Sequence, residues 1–109
     1  MKAFIFLVAL SIEIIVGGYS DRKPMEHDVL QLANGMRDII EQSSQQPLGI
    51  YIPLEFRSQV VAGTNYKVSI QIEDDKYLLA TIYVPLGQQP ALLTDLSGGL
   101  SLDELDLIF

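Results

Sequence analysis

Gln59-Val60-Val61-Ala62-Gly63-Thr64-Asn65-Tyr66 lies between two stretches in which apolar residues recur at every second position. On its N-terminal side Ile50, Ile52, Leu54 and Phe56 alternate with Tyr51, Pro53, Glu55 and Arg57. On its C-terminal side Tyr66, Val68, Ile70 and Ile72 alternate with Lys67, Ser69, Gln71 and Glu73. A period of two marks a strand with one buried face. The segment therefore reads as a hairpin between two antiparallel strands, with Gly63 and Asn65 able to take the positive φ angles of a tight turn. Val60 and Val61 are unusual so near a tip. Either they end a strand in the ordinary way, or they form an apolar tip shaped to enter a groove.

Working outward, Asp74-Asp75 reads as a turn and Lys76 to Val84 as a further strand, with Leu78, Ala80, Ile82 and Val84 on one face. Pro85-Leu86-Gly87-Gln88-Gln89-Pro90 is a second turn region, and Ala91 to Leu96 closes the sheet. Pro53 implies a bulge or an edge position, because it has no N–H to give a ladder. Upstream, Val29, Leu32, Ala33, Met36, Ile39 and Ile40 recur at helical spacing. Pro24 suits the first helical turn, and Glu26 and Asp28 favour the positive end of its dipole. Gly35 weakens the helix and marks a close approach to the sheet. Ser43 to Pro47 ends it. Short connections make neighbouring strands antiparallel. The expected architecture is α+β, one α-helix packed across a four- to five-stranded antiparallel sheet.

The chain has 109 residues, of which 49% are apolar and 19% charged, which fits one globular domain with a modest core. It has no Cys and one His, so a catalytic thiol, a disulfide framework, a Cys-based metal site and a paired-His motif are all excluded. A net charge of −7 argues against nucleic acid and anionic membrane surfaces as partners. His27 reads as a solvated surface residue. Asp103, Glu104 and Asp106 read as a solvated acidic tail, without the glycine and alternating acids of a calcium loop. No catalytic residue, metal site or cofactor is expected.

The first residues differ from the rest. Met1-Lys2 is a short positive start, and Ala3 to Leu10 is an unbroken apolar run. From Ala3 to Val16 is shorter than the roughly 20 residues of a membrane span, and Glu13 interrupts it. A secretory signal peptide over residues 1–11 fits, with cleavage as late as residue 18, leaving a single domain over 12–109. Secretion is the expected localisation and the cytoplasm the alternative, with no membrane association in the mature form.

Gln59-Val60-Val61-Ala62-Gly63 followed by Thr64-Asn65-Tyr66 resembles the first binding loop of the cystatins, and specifically of the stefins. Gly17-Gly18-Tyr19-Ser20-Asp21-Arg22-Lys23-Pro24 resembles the stefin start, and Asp103-Glu104-Leu105 with Phe109 the stefin end. The resemblance covers residues 16–109, and the absence of Cys agrees with stefins rather than with disulfide-bonded cystatins. The second turn departs from the family: stefins carry Leu-Pro-Gly-Gln where this chain has Pro85-Leu86-Gly87-Gln88, and the following stretch is a residue shorter. Stefins are also normally cytosolic.

The resemblance implies a non-enzyme, a reversible inhibitor of papain-like cysteine proteases such as cathepsins. Its protease-binding residues would be Val16 and Gly17 in an N-terminal trunk, Gln59, Val60, Val61, Ala62 and Gly63 in the hairpin, and Pro85, Leu86 and Gly87 in the second loop. Ile15 and Val16 would fill substrate pockets, and Gly17 would turn the chain away from the catalytic thiol. The alternative is a non-inhibitory interaction protein on the same fold. The chain is expected to be a monomer able to form a domain-swapped dimer through its hairpin. Because the tip is taken as exposed, Gly63→Glu and Val61→Asp are both expected to abolish inhibition and leave the fold intact.

Overall fold

The strand pairing of the computed structural model, which describes residues 18–45 and 47–109, follows chain order across one five-stranded antiparallel sheet. The elements are β1 (Lys23–Pro24), α1 (His27–Gly35), α2 (Arg37–Ser44), β2 (Ile52–Val61), β3 (Gly63–Glu73), β4 (Lys76–Val84), β5 (Leu92–Leu100) and α3 (Leu102–Ile108). The fold is α+β, as expected from the two periodicities, and it is consistent with the cystatin fold that the resemblance implies. The expected signal peptide, Val16 and Gly17 lie outside the described residues.

Pro24 does not open the helix. It belongs to β1, paired with Glu55, and the helical turns begin at His27. The expected single helix is two segments joined at Met36, whose N–H still bonds back to Leu32 and Ala33 and whose carbonyl accepts from Ile40. Val29, Ala33, Met36 and Ile40 form the buried stripe, spaced four, three and four apart, as one helix face requires. Ile39 stands outside that stripe at 43% exposure. Gly35 is exposed, and a Cβ there would meet nothing within 4 Å, so it marks no close approach. Gln45, at φ 62°, ends α2 in the left-handed conformation common at helix ends.

The helix covers Phe56 of β2, Val68, Ile70 and Ile72 of β3, and Leu78, Ala80 and Ile82 of β4, all buried. β3 and β4 alternate as read. β2 does not, because its pairing with β3 shifts register between Pro53 and Glu55. This is the bulge that Pro53 implied, and its extra residue reverses which side chains point inward. Pro53 therefore opposes Ile70, Phe56 opposes Val68, and Ile52 opposes Gln71. Tyr51 packs on the core, while Ile50, Ile52 and Leu54, expected to be core, are exposed.

The acidic C-terminal segment is not a solvated tail. It forms α3, which lies on the sheet face opposite the long helix. Ser101 caps it: the Ser101 hydroxyl accepts from the Glu104 N–H at 3.2 Å, and the Glu104 carboxylate accepts from the Ser101 N–H at 2.8 Å. Asp75, in the β3–β4 turn at φ 49°, accepts from the Leu102 N–H at 2.9 Å. Leu105 and Phe109 then bury against Leu79, forming a second small core with Tyr77 and Leu100 around it. Fully burying a side chain such as Leu105 contributes about 2 kcal/mol, enough to hold a seven-residue helix that would not form alone.

Tyr51 joins the loop before β2 to the helix. Its hydroxyl donates to the Ala33 carbonyl at 2.6 Å, and the Arg37 guanidinium lies 5.2 Å from its ring centre. Burial pushes its pKa from the ordinary 10 up to about 12. The unfolded chain thus releases this proton near pH 10 and the folded chain holds it to about pH 12, so the stabilisation is present below pH 10 and lost as pH rises through that window. Denaturant midpoints should show the advantage of the wild type over Tyr51→Phe shrinking between pH 10 and about 12. An advantage that stays constant over that range would contradict this.

Candidate functional site

Gly63 takes φ +108° and is buried. A Cβ built on it would lie 2.4 Å from the Val84 carbonyl oxygen and 3.2 Å from the Cα of Pro85. Only glycine lets the β2–β3 hairpin lie this close to the end of β4. The turn is tight, with Val61 opposite Gly63 and Ala62 alone at the tip. The Tyr83 hydroxyl donates to the Ala62 carbonyl and ties the tip to β4. Below it Gln59 opposes Asn65, and the Asn65 amide donates to the Gln59 side-chain oxygen at 3.1 Å. Asn65 needs no positive φ and sits in a regular strand position.

The second loop follows directly from β4, so the Gly63 contact brings the two loops together. Pro85 is half-buried beside the hairpin, Leu86 is 70% exposed, and Gly87 turns the chain at φ +77° with open space around it. On the other side the N-terminal segment runs antiparallel along β2. Lys23 opposes Phe56, the Ser20 N–H donates to the Ser58 carbonyl at 2.8 Å, and the Ser58 N–H donates to the Ser20 hydroxyl at 3.0 Å. That direction carries Gly18 toward Val60 and the hairpin end. Tyr19 lies beneath the Lys67 ammonium, 4.6 Å from its ring centre, and partial burial raises its pKa.

The structure therefore gathers Gln59, Val60, Val61, Ala62 and Gly63 with Pro85, Leu86 and Gly87 at one end of the sheet. Val60 is 74% exposed there, beyond the reach of the helix. No charged residue occurs from Gln59 to Asn65 or from Pro85 to Ala91. These residues form an uncharged ridge at the hairpin end. A hollow of about 380 Å³ lies at the opposite end, between α2 and the β3–β4 turn, where Glu73 and Lys76 pair with each other. Among the described residues no three His, Asp or Glu side chains converge as metal ligands, and no helix is long and apolar enough to cross a membrane.

No family model matches the chain. It is 32% identical to cystatin-A of Bos taurus over 76 residues, covering 70% of this chain and 78% of that protein. It is 30% identical to cystatin-A of Felis catus over 81 residues, covering 74% and 83%. The chain belongs to the stefin family of cystatins. A further stefin relative, leukocyte cysteine proteinase inhibitor 1 of Sus scrofa, is 27% identical over 77 residues, covering 71% of this chain and 75% of that protein. Stefins are inhibitors and not enzymes.

Two residues that shape this stefin's ridge gave no sign in the sequence. Tyr83 looks like any half-exposed strand residue, and its bond to Ala62 follows only from the fold. Ser58 is one of several strand serines until the N-terminal segment is laid beside it. The structure also corrects the expectation for Gly63. It is a support of the ridge and not part of its exposed surface, so a side chain there disturbs the fold itself. Gly63→Ala should cost about 2–4 kcal/mol, from the positive φ and the clash with Val84, whereas Val60→Asp should change stability by less than about 1 kcal/mol. Chemical denaturation of both variants tests this, and equal stability of Gly63→Ala and wild type would refute the packing argument.

Proposed function

We propose that this stefin is a reversible, tight-binding inhibitor of papain-like cysteine proteases of the cathepsin type. The ridge of hairpin and second loop would enter the active-site cleft, with the trunk around Val16 and Gly17 alongside. The observation that carries this reading is the exposure of Val60 and Leu86 at one uncharged end of the molecule. Such a surface displaces cleft water with little desolvation cost. It offers backbone and uncharged side chains to the cleft.

Titration against papain tests the reading. Stoichiometric loss of protease activity is expected from the monomer, and a folded Val61→Asp chain should bind on the order of a thousandfold more weakly, because a buried unpaired carboxylate costs several kcal/mol. We propose in addition that heating opens the hairpin and exchanges β1, the helix and β2 between two chains. That dimer, isolated by size exclusion, should not inhibit, since its hairpin tip no longer exists. Full inhibition by Val61→Asp would overturn the hairpin assignment, and no inhibition by the wild type would favour a non-inhibitory interaction protein.

The apolar run of residues 3–10 behind Lys2 supports action outside the cell. N-terminal sequencing of the native protein should find a start between Ile12 and Tyr19, and an intact Met1 would overturn secretion.

A further inference from the structure

Arg22 lies two residues from Ser20, whose paired bonds with Ser58 hold the N-terminal segment to the sheet. Its guanidinium meets three partners from distant parts of the chain. Nε and Nη2 donate to one Glu55 carboxylate oxygen on β2, at 3.2 and 2.6 Å. Nη1 donates to Asp106 on α3 at 2.8 Å, across 84 positions of sequence. The cation also lies 4.6 Å from the ring centre of Phe109, the buried residue that follows α3. Arg57 of β2 packs over the same ring at 5.8 Å.

We propose that Arg22 is a positioning residue for the trunk: by clamping the N-terminal segment to β2 and α3 at once, it makes the helix behind the sheet set where the trunk leaves the fold. The proposal rests on the inhibitory reading above for its consequence, though not for its geometry.

The clamp adds to a small number of other holds on the segment. β1 pairs Lys23 and Pro24 with β2, the Met25 N–H donates to the Leu54 carbonyl at 3.2 Å, and Tyr19 lies under Lys67. Beyond Ser20, Gly18 has open space around it. A peripheral rung like Ser20–Ser58 opens at little free-energy cost unless something beside it is fixed. An isolated exposed ion pair would fix little. Here one side chain serves two carboxylates and a ring face, so the entropy of ordering it is set against three contacts at once. A guanidinium suits this geometry and an ammonium does not, because it combines a planar face with a fork of donors.

Two measurements test the clamp. The first needs no protease. Amide exchange at Ser20 and Ser58 should quicken at least fivefold in Arg22→Gln and in Asp106→Asn, while the central amides of β3 and β4 keep their rates. Unchanged exchange at Ser20 would overturn the proposal whatever the protein inhibits. The second measures dissociation from papain, in the full chain and in a chain beginning at Tyr19, which keeps every described element. Arg22→Gln should speed dissociation about fivefold in the full chain and hardly at all in the shortened one, with Arg22→Lys between wild type and Arg22→Gln. Equal effects in both backgrounds would mean that Arg22 supports the fold generally, and would also overturn the proposal. If the wild type does not inhibit papain, the inhibitory reading fails and the exchange rates still decide the clamp.

Discussion

The approach of Gly63 to the Val84 carbonyl is the contact on which the geometry of the hairpin end depends. A Cβ would sit 2.4 Å from that oxygen, so the space is closed to every other residue. Because the backbone can come this near, Val61 opposite Gly63 is the last rung of the β2–β3 ladder, and Ala62 is held against Tyr83. The same approach places Pro85 beside the turn and makes two loops one surface. With the turn closed at that point, the pairing runs down β2 until the bulge after Pro53. The tip is thus positioned by backbone packing, which leaves its own side chains free of any structural duty. That is why Val60 can be apolar and mostly exposed without harm to the fold.

Much of the fold was legible because its signals are local. The alternation in β3 and β4, the turn at Asp74-Asp75 and the helical stripe from Val29 to Ile40 each declare themselves within a dozen residues. The errors arose where a local signal had two outcomes. Pro53 announces a bulge, but the consequence of a bulge is a change of side, and an alternation carried straight through it puts Ile50, Ile52 and Leu54 on the wrong face. Pro24 fits a helix start as well as a strand without a needed N–H, and only its pairing with Glu55 decides between them. The acidic C-terminal run contains a readable cap: Ser101 and Glu104, three apart before Leu105, are a capping box, with the single charge of Asp103 between them.

The site was legible to a different degree in its different parts. The hairpin is a single continuous segment, so its composition could be read directly. The contacts that steady it come from Tyr83, twenty-one positions from Ala62, and those beside the trunk come from Asp106, eighty-four from Arg22. Nothing in a strand tyrosine or a terminal aspartate distinguishes such partners from solvated residues. Long-range partners of this kind become visible only when the topology has fixed which faces and ends adjoin.

The two supports differ in physical kind, and that difference bears on how the ridge can respond to its surroundings. The hairpin is held by sterics, by a hydroxyl bond and by the β ladder, none of which depends on ionic strength. The N-terminal segment is held by backbone bonds to β2 and by a charged side chain whose two carboxylate partners water and salt can reach. Loosening of the Arg22 contacts is therefore expected to affect residues 18–24 and to leave the hairpin in place. The ridge itself carries no charge, so salt has little to screen where it would meet a partner. Sensitivity of that surface to ionic conditions is then expected to reach it through the charged contacts of the adjoining segment, Arg22 with Glu55 and Asp106 and Lys67 over Tyr19, rather than through the ridge itself.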